Sequence, residues 1–158
     1  MPPPFSFSTE LVVRFAETDA QGIAHNSAYL VWFEVGRIDY LARHAGGYKR
    51  IQAEGVEALT TESHVRHLAA ACFDDRLRIH LRCGDLRGAR FRFDYLVERV
   101  GDGRPVPVAD GWTLHALVDR DTLRPTRLPE WLREAIERAE AGGPGPARPR
   151  RSRPRRPA

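Results

Sequence analysis

The residues of this chain with the clearest chemical potential lie between Glu17 and Phe33, in the run E-T-D-A-Q-G-I-A-H-N-S-A-Y-L-V-W-F. Asp19 supplies a carboxylate in a polar, glycine-containing loop, and His25 and Asn26 follow it. Asn26 or Ser27 is the predicted N-cap of a helix, because Asn and Ser are favoured at that position. The first N–H groups of a helix are unpaired and partly positive, which suits an oxygen that becomes negative during a reaction. The spacing therefore predicts an acid facing a helix N-terminus.

One long helix and a sheet must position this acid. The helix is predicted from about Asn26 to Ala45, where Gly46 and Gly47 end it. Its apolar residues cover most of the circumference, so we expect burial on nearly all sides, partly by a second copy of the chain. Strands are predicted at 9–16, 56–68, 76–83, 91–97 and 112–118, with a helical turn at 48–54 and a last helix opened by Pro129.

Alternation of apolar and polar residues indicates which side of each strand faces the core. The positions predicted to point inward are Leu77, Ile79, Leu81, Cys83, Phe91, Phe93, Tyr95 and Val97, and the last strand is marked by Trp112, Leu114, Ala116 and Val118. Apolar residues on one face and charged residues on the other are typical of antiparallel sheets. The sequence thus predicts an α+β fold, with a curled antiparallel sheet of about five strands wrapped around one long central helix.

Composition separates the body of the chain from its ends. The 158 residues fit one domain at 9–138, preceded by a Pro-rich lead-in at 1–8 and followed by an Arg/Pro-rich tail at 139–158 that is expected to be disordered. The six arginines of residues 141–158 account for the net charge of +4, and residues 1–140 carry −2. No apolar run reaches the roughly 20 residues of a membrane helix, and no signal peptide is recognised. A cytoplasmic protein with two reduced thiols, Cys72 and Cys83, is expected.

Several segments together resemble one enzyme family. The run T-D-A-Q-G-I-A-H-N-S-A-Y-L-V-W-F-E-V-G-R is similar to acyl-CoA thioesterases of the hot-dog fold, in particular the 4-hydroxybenzoyl-CoA and Tol-Pal-associated thioesterases. Further matches are F-D-D at Phe73, D-L-R-G-A-R-F-R-F at Asp85 and R-L-P-E-W-L at Arg127, so the likeness extends over about 9–137. It implies a dimer joined sheet edge to sheet edge, often paired again into a tetramer. It also implies thioester hydrolysis without a metal or other cofactor.

The resemblance assigns roles to individual residues. Asp19 would act as general base or nucleophile, and the backbone N–H near Asn26 would polarise the thioester carbonyl. Many members carry His at the position of Asn26, so any additional acid role either falls to His25 or is absent here. Substrate binding is expected at Gly22, Tyr29, Thr60, Thr61, Arg87 and Arg90. Arg87 and Arg90 lie in the turn that meets CoA phosphate in relatives, although Gly88 and Ala89 replace basic residues found there in some members.

Other interpretations use the same residues. A hot-dog hydratase or dehydratase acting on enoyl-CoA also uses an Asp and a His in one loop, but usually with four residues between them, whereas five separate Asp19 from His25. A non-enzymatic module could bind nucleic acid or an anionic surface through the arginine tail, which the slightly acidic body disfavours. Glu34 and Arg37 are predicted to form an ion pair. His64 and His67 do not predict a metal site, because their odd spacing places them on opposite strand faces.

Overall fold

The computed structural model describes residues 5–142. In chain order its elements are β1 (Phe7–Val12), a 3-10 turn (Phe15–Glu17), α1 (Asn26–His44), α2 (Tyr48–Ala53), β2 (Val56–His67), β3 (Arg76–Arg87), β4 (Arg90–Val100), β5 (Val106–Asp119) and α3 (Glu130–Ala141). The first strand thus begins inside the predicted lead-in, and the last helix enters the predicted tail. The rest of that tail lies outside the described residues.

The five strands form one antiparallel sheet with the order β1-β3-β4-β5-β2. Strands β3, β4 and β5 follow one another as hairpins, and Gly88 adopts a φ of +61° in the turn between β3 and β4. Such a positive φ suits glycine, which has no Cβ to clash. Strand β2 pairs only with β5 in this sheet and forms a long edge. The predicted α+β architecture with five antiparallel strands and one long helix is therefore confirmed.

Helix α1 packs on the inner face of the sheet. Trp32, Phe33 and Tyr40 are at most 1% exposed, and the ring of Phe33 stacks on that of Tyr95 with centroids 4.0 Å apart. The opposite side of the helix carries Leu30, Val31 and Ile38, each more than 40% exposed. Burial on nearly all sides is therefore wrong for the single chain, because the sheet covers only one face of the helix. Within residues 5–142, no helix is both long and apolar enough to span a bilayer.

A half-buried carboxylate, that of Glu140, fixes α3 to the rest of the domain. Glu140 Oε1 accepts hydrogen bonds from Ser6 Oγ at 2.8 Å, Tyr40 Oη at 2.6 Å and Cys83 N at 2.9 Å. These donors belong to the segment before β1, to α1 and to β3, so one side chain joins four parts of the chain. Helix α3 is thereby held over the inner face of the sheet, where Leu132 and Ile136 are buried.

Candidate active site

The acidic loop before α1 is closed by its own backbone. Thr18 and Ala24 form an isolated antiparallel bridge, Asp19 N donates to Ile23 O at 3.0 Å, and Gly22 N donates to Asp19 O at 3.0 Å. Gly22 has a φ of +79°, which favours glycine at this point of the turn. The carboxylate of Asp19 accepts the N–H of Gln21 at 2.8 Å. One oxygen of the acid is therefore oriented by the loop that carries it.

A second carboxylate ties this loop to the central helix. Glu17 Oε1 accepts the indole N–H of Trp32 at 3.1 Å, and Glu17 Oε2 accepts the backbone N–H of Arg14 at 2.8 Å. The carbonyl oxygen of Glu17 also accepts the backbone N–H of His25 at 2.7 Å. Because Trp32 is 1% exposed and fixed in the core, Glu17 holds the residues just before Asp19 against a rigid part of α1.

The N-cap of α1 is His25, and the predicted assignment to Asn26 or Ser27 is wrong. His25 Nδ1 accepts the backbone N–H of Ser27 at 3.1 Å and lies 2.7 Å from Ser27 Oγ. In the neutral ring this places the proton on Nε2. His25 caps the helix in place of Asn26 or Ser27 because its ring nitrogen reaches the backbone N–H two residues further along the chain. Within the described part of the chain, no acceptor takes the Asn26 N–H, as expected at a helix start.

Asp19 and the start of α1 line the same open cleft, which has a volume of about 510 Å³. Its lining includes Asp19, His25, Asn26, Tyr29 and His67. Tyr29 is 3% exposed, and its ring packs perpendicular to that of His67 with the ring centroids 4.7 Å apart. Burial raises the pKa of the Tyr29 phenol. The cleft thus combines a carboxylate that can attack or accept a proton with a backbone N–H at the positive end of a helix. His67, at the end of β2, is a lining residue that the sequence did not indicate.

The other predicted binding residues lie away from this cleft. Thr61 sits at a bulge in β2 and donates to Leu114 O at 3.2 Å. Arg87 and Arg90 face each other across the β3–β4 turn and are exposed. Thr60 lines a second cavity with His115. Within one chain the structure therefore brings Asp19, His25, Asn26 and Tyr29 together and leaves Thr60, Thr61, Arg87 and Arg90 outside.

A chain of hydrogen-bonded polar side chains, buried at Tyr95, Thr113 and His115, runs beside that second cavity, and the sequence did not predict it. Arg37 Nη1 donates to Tyr95 Oη at 3.1 Å, and Tyr95 Oη lies 2.7 Å from Thr113 Oγ1. Thr113 Oγ1 is 2.7 Å from His115 Nε2, and His115 Nδ1 is 3.3 Å from Thr60 Oγ1. Thr113, His115 and Leu117 are the buried inward residues of β5, whereas Trp112, Leu114 and Ala116, which marked this strand in the sequence, are half-buried. Polar residues at alternate positions were the available signal.

The charge of Arg37 acts on this chain. Burial first, and then the positive charge of Arg37, lower the pKa of His115 to about 3, so its imidazole is neutral near pH 7. Burial also raises the pKa of Tyr95 to about 12, with Arg37 opposing that rise. The predicted ion pair between Glu34 and Arg37 is wrong, because the guanidinium turns to the Tyr95 hydroxyl. Among the ion pairs within residues 5–142, none includes Arg37.

The part of the chain that lines both cavities is similar to known proteins. A sequence model described as "Thioesterase-like superfamily" matches residues 13–136, which include the lining of both cavities. A putative esterase of Aquifex aeolicus is 31% identical over 106 residues, covering 67% of this chain and 80% of that protein. The acyl-CoA thioester hydrolase YbgC of Escherichia coli O157:H7 is 25% identical over 118 residues, covering 75% and 86%. A crystal structure of the dynemicin thioesterase superposes with a TM-score of 0.77 at 29% identity, covering 84% and 95%.

Proposed function

Because this chain belongs to the thioesterase-like superfamily, we propose that it is an acyl-CoA thioesterase, which hydrolyses an acyl- or aryl-CoA thioester to the free acid and CoA. The hot-dog fold and the family resemblance predicted from the sequence are confirmed by the matches above. The activity is supported by relatives such as the acyl-CoA thioester hydrolase YbgC of Escherichia coli. The observation that carries the proposal is the shared cleft of the Asp19 carboxylate and the Asn26 N–H.

The proposed reaction uses these two groups in sequence. The thioester carbonyl oxygen accepts the Asn26 N–H, whose position at the helix start stabilises the negative charge that develops on that oxygen. Asp19 either takes a proton from the attacking water or attacks the carbonyl carbon itself. The C–S bond then breaks, and CoA leaves as a thiolate that takes up a proton. If water attacked, the free acid forms directly; if Asp19 attacked, water next hydrolyses the acyl–Asp19 anhydride, which frees the acid and restores the carboxylate. Because Nδ1 of His25 accepts the Ser27 N–H, its Nε2–H is a donor available to the substrate within the same cleft, which gives His25 a binding role.

CoA binding is proposed to need a second copy of the chain. Arg87 and Arg90 lie away from Asp19 within one chain, so their predicted contact with CoA phosphate requires a neighbouring subunit. Strand β2 offers a twelve-residue edge whose residues are mostly exposed, and the exposed apolar side of α1 is uncovered as well. A homodimer or homotetramer would cover both surfaces. Sedimentation equilibrium should therefore give two or four times the chain mass of 17.9 kDa.

The decisive assay is a panel of acyl- and aryl-CoA thioesters with free-thiol detection. Asp19→Asn should fold normally and lose at least about a hundred-fold in kcat, as expected when a principal catalytic group is removed. Asp102→Asn, the same change at an exposed residue of a surface turn, is the matched control and should behave as wild type. Full activity of Asp19→Asn would refute the mechanism. Hydration of an enoyl-CoA double bond without thiol release would indicate the hydratase alternative.

The cellular location stays a prediction. Cys72 is an exposed free thiol and Cys83 a buried one, which accords with a reducing compartment and supports our proposal of a cytoplasmic enzyme.

A further inference from the structure

A second cavity lies between α1, α2, α3 and the sheet, away from Asp19. It has a volume of about 290 Å³ and is lined mainly by apolar side chains. Phe91 and Leu117 contribute from the sheet, Ile51 from α2 and Leu132 from α3, and all four are buried. The polar lining residues are Glu34, Arg37, Tyr48, Thr60 and His115. A mostly apolar cavity with a few convergent polar groups is the usual form of a small-molecule site.

One stripe of α1 joins this cavity to the cleft of Asp19. Asn26 lines the cleft, while Glu34, Arg37 and Leu41 line the second cavity. Residues three or four apart lie on the same face of a helix, so Asn26, Leu30, Glu34, Arg37 and Leu41 form one continuous row. Leu30, between the two cavities, is 42% exposed. A flexible substrate held at Asn26 can therefore follow the helix toward the second cavity.

The dimensions define a range of acyl lengths. Arg37 lies eleven positions after Asn26, which is about 16 Å along the helix axis at 1.5 Å per residue. An extended chain gains about 1.2 Å per bond, so roughly 8 to 13 bonds reach the cavity, the lower value allowing for the length of the arginine side chain. This path length indicates an acyl group of medium length whose distal end enters the cavity.

Arg37 indicates the chemistry at the far end of that group. Its half-buried guanidinium spends one donor on Tyr95 Oη and has no carboxylate partner within residues 5–142. Arginine carries five N–H donors, so this apolar cavity still offers donors to a bound oxygen. The Glu34 carboxylate lines the same cavity and disfavours a second anion there. A neutral oxygen, as in a hydroxyl or a carbonyl group, satisfies both constraints.

We propose that this cavity, here named the acyl chamber, receives a medium-length acyl chain and that Arg37 binds a neutral oxygen at the chain's distal end. The assignment rests on the proposed thioesterase function and adds a substrate class to it: acyl-CoA thioesters of about 8 to 12 carbons with a terminal hydroxyl or oxo group. Arg37 is then a specificity-determining residue, and Ala58, which lines the chamber from β2, sets its depth.

The first test compares decanoyl-CoA, 10-hydroxydecanoyl-CoA and the corresponding ω-carboxy thioester. Wild type should prefer the hydroxylated chain by about ten-fold in kcat/KM, mainly through KM, because one hydrogen bond to a charged donor is gained. Arg37→Met should lose this preference and Arg37→Lys should retain part of it. A preference that persists in Arg37→Met, or a stronger preference for the ω-carboxy chain, would overturn the assignment while leaving the thioesterase function intact.

The second test changes the size of the acyl chamber. Ala58→Leu should shift the preferred length of saturated acyl-CoA substrates down by two or three carbons. Ala116→Leu is the matched control, since Ala116 alternates with the inward His115 and therefore lies on the other face of the sheet. Its length profile should match wild type. Equal profiles in Ala58→Leu and wild type would show that the chain does not enter the chamber.

A third measurement needs no hydrolysis and so separates the chamber from the catalytic proposal. Saturating 1-octanol should raise the unfolding temperature of wild type, because a ligand that binds only the folded state stabilises it. The rise should be smaller in both Arg37→Met and Ala58→Leu than in Ala116→Leu. No rise in wild type, or equal rises in all variants, would overturn the acyl chamber. If the unfolding temperatures rise in this selective way but the wild type cleaves no thioester, the acyl chamber is supported and the thioesterase proposal is refuted.

Discussion

Glu17 is expected to control both the stability of the domain and the position of Asp19. Its carboxylate accepts the Trp32 indole N–H at 3.1 Å and the Arg14 backbone N–H at 2.8 Å. Glu17→Ala removes both acceptors at once. Because Trp32 is 1% exposed, no water readily replaces the lost acceptor at the indole, whereas the Arg14 amide lies near the exposed surface and can bind water.

The magnitude follows from this difference in burial. A buried donor left unpaired costs about 1–3 kcal/mol, whereas an exposed donor that loses its partner costs little because water replaces that partner. We therefore expect Glu17→Ala to lower the free energy of unfolding by about 2 kcal/mol and the unfolding temperature by about 4–8 °C. The loop before Asp19 also loses its contact with α1. Displacement of a catalytic group by ~1 Å can cost up to about a hundred-fold in rate, so kcat should fall ten- to a hundred-fold.

The assay combines urea unfolding with thioester hydrolysis. Glu17→Gln keeps an acceptor oxygen for the indole and should lose less stability and less kcat than Glu17→Ala. Glu54→Ala removes an exposed carboxylate at the end of α2 and should match wild type in both measurements. If Glu17→Ala unfolds within about 0.5 kcal/mol of wild type and keeps its kcat, the proposed positioning role of Glu17 is wrong.

Two further predictions concern the sheet beneath the helix. A Cβ on Gly111 would overlap the backbone oxygen of His64, while a Cβ on Gly84 would meet nothing within 4 Å. Urea unfolding should therefore show Gly111→Ala destabilised by about 3 kcal/mol or more and Gly84→Ala little changed, and equal effects of the two changes would contradict this contact. Burial and Arg37 lower the pKa of His115 to about 3 in the folded protein, so below about pH 6.5 the unfolded chain binds a proton that the folded chain does not. The free energy of unfolding should therefore fall as the pH is lowered from about 6.5 toward 3, by up to ~1.4 kcal/mol per pH unit. His115→Asn should flatten this dependence when unfolding is measured at a series of pH values.

The sequence was most informative where the pattern is local. The inward positions of β3 and β4, such as Leu77, Ile79 and Phe93, are all buried as their alternation predicted. The bounds of α1 agree to within one residue with the glycine stop signal. A carboxylate in a loop directly before a helix also has to lie near the helix start, because few residues separate them. This explains how the cleft containing Asp19, Asn26 and Tyr29 could be recognised from the chain alone.

Contacts between distant residues were decided only by the tertiary structure. His25 replaced the expected cap residue because its ring nitrogen reaches Ser27 N, a geometry that residue preferences do not contain. The inward phase of β5 was set by pairing with β4, where Thr113 lies opposite Phe93 and His115 opposite Phe91. Periodicity shows that a strand has two faces, but its register with neighbouring strands selects the face that is buried. The sequence by itself thus determined the elements and the loop that carries Asp19, whereas long-range packing created the cavity proposed as the acyl chamber.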